Sequence, residues 1–140
     1  EMRACEIAED AMNAISEDKY SFVLINFSNP DMIGHTANMQ ATKRAIEIVD
    51  KCAYAVAMAT LLAGGDCIIT ADHGNAELIE DENGNPVTAH TTNPVPFILV
   101  SEKYKNAKLK KDGKLANVAP TILELLNINK PSVMTDSMIE

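Results

Sequence analysis

The sequence has no tryptophan, and aromatic residues make up 4% of its 140 positions. It is also poor in basic residues, because 12 lysines and arginines stand against 20 aspartates and glutamates, which leaves a formal net charge of −8. A nucleic-acid-binding surface needs a basic patch, so nucleic acid is not an expected partner. A phosphorylated ligand would also be repelled unless bound cations reversed the charge locally.

Long apolar runs and paired-cysteine motifs are missing as well. No apolar stretch approaches the roughly 20 residues of a membrane span and no signal sequence opens the chain, so no membrane partner is expected. Cys5, Cys52 and Cys67 lack CxxC spacing, which favours reduced, mostly buried thiols in a cytoplasmic protein. The first residue is Glu1 and not methionine, which is consistent with a fragment of a longer polypeptide and equally with a processed start.

Apolar spacing predicts three helices in a chain whose length favours a single domain over residues 1–140. The first covers residues 2–15, and the second covers residues 40–63 and stops at a glycine pair. The third begins near Asn117, the predicted cap, and tolerates Pro120 in its first turn. Helices of this kind cover the faces of a sheet in α/β proteins.

Continuous apolar runs predict buried strands at residues 21–27, 66–71 and 97–100, with a loop at 28–34 after the first of them. Strand, long helix and strand form a right-handed crossover, which predicts a mostly parallel sheet. A hairpin with Asn83 and Gly84 at its tip is expected within residues 77–88. The sequence therefore predicts an α/β fold with helices on both faces of the sheet.

The three histidines, His35, His73 and His90, all lie in predicted loops that follow apolar runs, and two of these loops also carry Asp31 and Asp72. Taken singly, each residue has an ordinary explanation: both aspartates suit turns, and a lone histidine is more often a surface or capping residue. Ligands of open parallel sheets bind beyond the carboxyl ends of the strands, where such loops converge. Together the five residues predict a metal site.

Imidazole mixed with carboxylate favours divalent zinc, manganese or iron over magnesium and calcium. Asp31, His35 and His90 supply three protein ligands and leave a position open for water or substrate, as catalytic sites do. Asp72 and His73 are then two ligands of a second site that is incomplete as it stands.

Three segments in this order carry a family resemblance: NFSNPDMIGHT at residues 26–36, ITADHGNAE at 69–77 and AHTTNPVP at 89–96. They resemble motifs of the cofactor-independent phosphoglycerate mutases, which belong to the alkaline phosphatase superfamily. The similarity continues through residues 119–126 and so spans nearly the whole chain. It implies a three-layer, alkaline-phosphatase-like sandwich, of which this chain is part.

The resemblance also implies the roles of the site residues. Asp31, His35 and His90 would hold one metal, most commonly manganese, with zinc, cobalt or iron as alternatives. Asp72 and His73 would help to hold a second ion, and no 2,3-bisphosphoglycerate would be needed. In the family an N-terminal segment adds an aspartate and the nucleophilic serine, and neither motif occurs here. Ser28 is no substitute, since no adjacent base activates it.

The activity implied for the intact enzyme is the interconversion of 3-phosphoglycerate and 2-phosphoglycerate through a phosphoserine, a glycolytic isomerase reaction. The enzyme is expected to be cytoplasmic and monomeric. This chain alone, without the serine and the inserted substrate-gripping domain, is expected to be inactive. Two alternatives remain: another phosphotransferase or hydrolase of the superfamily, and a stand-alone metal-binding module. The continuation Thr91-Thr92-Asn93-Pro94 after His90 speaks against the first of these.

Overall fold

The computed structural model describes residues 2–140, which form two compact units, one ending at Val100 and the other spanning Ser101–Glu140. None of the helices described within these residues is both long enough and apolar enough to cross a membrane. The elements in chain order are α1 (Ala4–Ser16), α2 (Asn29–Gly34), α3 (Met39–Leu62), β1 (Cys67–Thr70), β2 (Phe97–Val100), a 3₁₀ turn (Leu115–Asn117) and α4 (Val118–Leu125).

The core of the first unit lies between α1 and α3, and both helices confirm their predictions to within about two residues. Alanines on one face of α1 let the two backbones approach closely, and this face packs against Cys52 and Val56 of α3. Gly64, with a φ of 80°, ends α3 as predicted, because the left-handed backbone there suits glycine. The buried residues of α1 are Ala4, Ala8 and Ala11.

The cysteines are free, but the prediction that they are mostly buried fails for Cys5. Cys5 is exposed on α1, Cys52 is buried on α3, and their sulfur atoms lie 4.0 Å apart. Cys67 of β1 is half-buried, and burial raises the pKa of its thiol. A raised thiol pKa keeps Cys67 protonated and unreactive near neutral pH.

The buried strand predicted at residues 21–27 is wrong in two respects. The segment has the alternating burial of a strand, because half-buried Val23, Ile25 and Phe27 alternate with exposed neighbours. It is nevertheless unpaired within residues 2–140, and its outward side chains Phe22 and Leu24 are 51% and 82% exposed. A strand requires a neighbouring strand to bond its backbone, and an apolar run cannot reveal where that neighbour comes from.

The sheet described in residues 2–140 consists of β1 and β2, which pair antiparallel with Cys67 opposite Val100 and Thr70 opposite Phe97. The parallel pairing predicted between residues 21–27 and 66–71 is not seen in this part of the chain, because residues 21–27 pair with no strand here. A parallel pair needs a crossover connection, usually a helix, whereas residues 71–96 between the two strands contain a hairpin and loops. The chain therefore returns beside β1 in the opposite direction.

The predicted hairpin at residues 77–88 is confirmed, with Gly84 at its tip in the left-handed region at a φ of 80°. The Asp81 carboxylate accepts hydrogen bonds from the backbone amides of Asn83 and Asn85 and from the Asn85 side chain. These bonds, chiefly the one from the Asn85 side chain, hold the pKa of Asp81 below its ordinary value. The tip is thus ordered by its own polar side chains.

The loop predicted at residues 28–34 is instead the short helix α2. Pro30 occupies its first turn, where a proline costs no hydrogen bond and already has a helical φ. The amides of Met32 and His35 then donate to the carbonyls of Ser28 and Asp31, at 3.0 and 3.1 Å. Breakers such as proline mark helix starts as well as loops, and Pro30 marks a helix start.

In the second unit, α4 begins at Val118 and holds Pro120 in its first turn, as predicted. Asn117 occupies the N-cap position as predicted, but its side chain makes no cap bond to the helix. It accepts a hydrogen bond from the Lys114 backbone amide and donates one to the Asp136 carbonyl, both at 2.7 Å. Fully buried Thr121 accepts a hydrogen bond from the Met138 amide at 2.8 Å. These contacts fix the C-terminal tail against α4.

Candidate metal centre

The candidate site is built from three segments of the first unit. Helix α2 carries Asp31, and His35 is the residue that caps its C-terminus, four residues later and on the same side. The loop after β1 carries His73, and the loop after the hairpin carries His90. An antiparallel backbone bridge between Gly74 and Thr91 joins these two loops and brings their histidines to the helix.

The site centres on one carboxylate oxygen, Asp31 Oδ1. His35 Nε2 lies 3.2 Å from it and His90 Nε2 lies 3.1 Å from it, while the two nitrogens are 3.2 Å apart. One ligand atom from each residue fits within a mutual distance of 4.8 Å. The structure therefore brings together the three residues predicted as the first ligand set.

The donor atoms of this cluster suit a divalent cation. His35 Nδ1 faces the Thr88 carbonyl at 2.5 Å, and since a carbonyl can only accept, this contact favours a proton on Nδ1 and leaves Nε2 as the nitrogen that faces the cluster. Ligand atoms at roughly 2.0–2.2 Å from a tetrahedral ion lie roughly 3.3–3.6 Å apart, a little more than the observed spacings of 3.1 and 3.2 Å. The chemistry and spacing of the donors therefore fit a bound metal.

The second predicted pair, Asp72 and His73, is placed differently. The His73 ring stacks on the His90 ring with centroids 3.7 Å apart, and its Nε2 lies 4.0 Å from Asp31 Oδ1. The Asp72 carboxylate lies 3.7 Å from His73 Nε2 but is 86% exposed. His73 thus adjoins the cluster around Asp31, whereas Asp72 remains at its solvent side.

Asn75 is a site residue that the sequence analysis missed. Its buried side-chain amide donates to Asp31 Oδ1 at 3.1 Å and lies 3.4 Å from His35 Nε2. Gly34 makes room for it, because a Cβ at Gly34 would overlap Asn75 Oδ1. The signal was Asn75's place in the second motif, two residues after His73, but amides are common in turns and their role depends on tertiary contacts.

Glu77 was also missed. Its carboxylate accepts hydrogen bonds from the backbone amide of Asn75 at 2.7 Å, from the side chain of Asn93 at 3.0 Å and from the hydroxyl of Thr91. These bonds, led by the one from Thr91, hold the pKa of Glu77 below its ordinary value. The residue is therefore an anion at neutral pH and bonds to both histidine-bearing loops.

Gly34→Ala should disturb the site without changing a ligand. The new Cβ would overlap the side-chain amide of Asn75 and displace it from Asp31. We expect the affinity for Zn²⁺ to fall about 10-fold or more, as when other hydrogen-bond partners of metal ligands are lost. Titration calorimetry measures this, with Gly65→Ala after α3 as the matched control. Equal zinc affinity in the two variants would show that Asn75 does not support Asp31.

The chain matches the family model described as the metalloenzyme superfamily over residues 1–130. It is 53% identical over 142 aligned residues to the 2,3-bisphosphoglycerate-independent phosphoglycerate mutase of Synechococcus sp. (strain JA-2-3B'a(2-13)), covering 96% of this chain and 27% of that protein. The mutase of the same name from Clostridium botulinum (strain ATCC 19397 / Type A) is 49% identical over 140 residues, covering 99% of this chain and 27% of the relative.

A solved structure of Leishmania mexicana phosphoglycerate mutase at low cobalt concentration has the same fold over 99% of this chain, with a TM-score of 0.89 and 33% sequence identity. The match covers 28% of that chain, so this chain spans about a quarter of the length of the relatives it matches. The expected kinship to phosphoglycerate mutases is confirmed, and the chain belongs to the metalloenzyme superfamily.

Proposed function

We propose that this chain is the metal-binding part of a 2,3-bisphosphoglycerate-independent phosphoglycerate mutase, an isomerase that interconverts 3-phosphoglycerate and 2-phosphoglycerate. The observation that carries the proposal is the convergence of His35 and His90 on Asp31, in a chain about half identical to such mutases. Residues 1–140 would form the C-terminal portion of the metal-binding domain. We place the enzyme in the cytoplasm, in glycolysis, as a monomer.

Asp31, His35 and His90 would hold one divalent ion, and Asp72 and His73 would contribute to a second. Bound ions of this kind neutralise phosphate charge and lower the pKa of a coordinated hydroxyl. Manganese is the expected metal from the family resemblance, and mixed imidazole and carboxylate donors are equally compatible with zinc, cobalt or iron. The Leishmania relative was solved at low cobalt concentration, which agrees with this range.

The other residues of the site would keep the ligands ready. The Thr88 carbonyl holds the proton of His35 on Nδ1, so Nε2 stays available, and Asn75 fixes the carboxylate of Asp31. The nucleophilic serine and the groups that grip the substrate would come from parts of the enzyme outside residues 1–140. In a chain with a net charge of −8, the cations would provide the attraction for an anionic phosphoglycerate.

The complete domain would be a three-layer sandwich with a mostly parallel sheet. The segment at residues 21–27 supports this, because it already has a strand's alternation and exposes Phe22 and Leu24. It would become a strand when a neighbour from another part of the enzyme bonds to its backbone. The apolar side chains on its outward face would then be covered.

A chimeric enzyme tests this function. We expect the Clostridium botulinum mutase to keep interconverting the two phosphoglycerates when this chain replaces its matching quarter. Asp31→Ala in the chimera should remove the activity, whereas Asp50→Ala on the exposed side of α3 should leave it unchanged. A folded chimera that hydrolyses phosphate esters but does not interconvert phosphoglycerates would favour another phosphatase-like enzyme, and one that binds metal without either activity would favour a metal-binding module.

A further inference from the structure

The two loops that carry His73 and His90 come from chain segments on either side of the hairpin, and little backbone bonding joins them. The backbone amide of Thr91 donates to the Gly74 carbonyl at 2.8 Å. Within the described residues this pair forms an isolated bridge and is not part of a strand. One backbone hydrogen bond adds little net stability, because water bonds the same groups in the unfolded chain. Side chains must therefore supply much of what keeps the loops together.

Glu77 supplies this connection. One carboxylate oxygen accepts a hydrogen bond from the backbone amide of Asn75 in the His73 loop. The other accepts from the Asn93 side chain and the Thr91 hydroxyl in the His90 loop. Hydrogen bonds to an ionised carboxylate are roughly twice as strong as neutral ones. A single anionic side chain thus clamps both loops with three bonds.

The loops meet closely at this clamp, and Gly74 shows how closely. A Cβ at Gly74 would overlap both the Thr91 hydroxyl and the Glu77 carboxylate. The residue that follows His73 therefore has to be a glycine for the clamp to close. The clamp is consequently a packed contact that depends on both loops.

Movement of the residues bonded to Glu77 would displace the predicted metal ligands, because those residues adjoin or contact the ligands directly. Thr91 directly follows His90, so the Glu77 bond to its hydroxyl lies one residue from a predicted ligand. Asn75, whose amide Glu77 holds, donates its side chain to Asp31 Oδ1 at 3.1 Å. Glu77 itself is outside the cluster of donor atoms formed by Asp31, His35 and His90, so its effect on a metal would be indirect.

We propose that Glu77 is a positioning residue, which locks the His90 loop to the His73 loop so that the metal ligands are assembled before an ion binds. This inference rests on the proposed metal-binding function. The motif at residues 69–77 would then contribute a positioning residue as well as the predicted ligands Asp72 and His73.

Zinc and cobalt titrations of Glu77 variants test the role. Removing partners of metal ligands typically costs 10- to 100-fold in affinity, so we expect about 10-fold weaker Zn²⁺ binding in Glu77→Gln and a larger loss in Glu77→Ala. Glu82→Gln and Glu82→Ala make the same changes on the exposed hairpin and should bind zinc like the unsubstituted chain. Zinc binding in Glu77→Ala that equals that of Glu82→Ala would overturn the proposal.

A positioning role also predicts signatures that general destabilisation does not produce. Thr91→Ser keeps the hydroxyl and should retain the affinity for zinc, whereas Thr91→Val removes the hydroxyl and should weaken zinc binding. The double variant Glu77→Ala with Thr91→Val should bind zinc only slightly more weakly than Glu77→Ala alone, because both changes break the same bond. The absorption bands of bound Co²⁺ should change in Glu77→Gln, because the ligand geometry loosens. Additive losses, or an unchanged cobalt spectrum in a folded variant, would contradict the clamp.

Asp31→Ala separates this inference from the function on which it rests. If Asp31→Ala abolishes binding while the Glu77 variants bind normally, the positioning role is wrong and the metal site stands. If Asp31→Ala binds Zn²⁺ as before, the proposed metal site itself fails, whatever the Glu77 variants do. Thermal melts of every variant show whether a loss of binding reflects unfolding, and the Thr91 pair tests the clamp even if Glu77→Ala does not fold.

Discussion

Asp31→Ala and His90→Ala should each abolish tight binding of Mn²⁺ or Zn²⁺, whereas Asp72→Ala should leave most of it. Asp31 Oδ1 is the atom that His35 and His90 both face, at 3.2 and 3.1 Å, so the cluster loses its centre without it. His90 supplies one of only two imidazoles in the proposed three-ligand set. Asp72 is 86% exposed and is not one of the three proposed ligands, so we expect its loss to affect only the proposed second, weaker site.

Titration calorimetry on the unsubstituted chain and the three variants measures this difference. Binding should weaken as the pH falls, because protons compete with the metal for the imidazole nitrogens. Asp50→Ala on α3 controls for the loss of one negative charge elsewhere on the chain. Equal loss of tight binding in Asp72→Ala and Asp31→Ala would contradict the proposed division of ligands between the two ions.

The 140-residue chain, purified alone, should not interconvert 3-phosphoglycerate and 2-phosphoglycerate, even with metal bound. The residues gathered at the site are suited to holding cations, and phosphoryl transfer through a phosphoserine also requires an activated serine. Ser28, the residue before α2, stands in a ligand motif, and its sequence neighbours Phe27 and Asn29 are not bases. Binding groups without a nucleophile cannot form the covalent intermediate.

A coupled assay for 2-phosphoglycerate detects any turnover, with the Asp31→Ala chain purified in parallel to reveal contaminating mutase. The two preparations should give the same background rate. Turnover by the unsubstituted chain that Asp31→Ala removes would show that a nucleophile lies within these residues. The proposed roles would then have to be reassigned.

The sequence was sufficient to predict α1 and α3, because their apolar faces repeat with helical spacing over several turns. It was also sufficient to predict that Asp31, His35 and His90 lie together, as the structure shows. Chance would scatter three histidines over helices and tails as readily as over the loops that follow apolar runs. The role of these residues as ligands remains a prediction.

The features that the sequence did not predict depend on contacts between distant segments. Residues 21–27 have a strand's composition, but pairing depends on a neighbour, which the apolar run does not specify. β2 runs antiparallel to β1, because residues 71–96 between them contain a hairpin and loops and not a crossover helix. Asn75 and Glu77 act through bonds to Asp31 and to Thr91, which lie up to 44 residues away in the chain.

The most direct test of the proposed site follows the histidine side chains themselves. In a chain labelled with ¹⁵N at histidine, NMR spectra recorded during a Zn²⁺ titration should show the ring nitrogens of His35 and His90 shifting together. The shifts should be complete after one ion per chain, and Asp31→Ala should abolish them. Ring nitrogens that stay unchanged in excess zinc, or that shift equally in Asp31→Ala, would contradict a metal centre built on Asp31, His35 and His90.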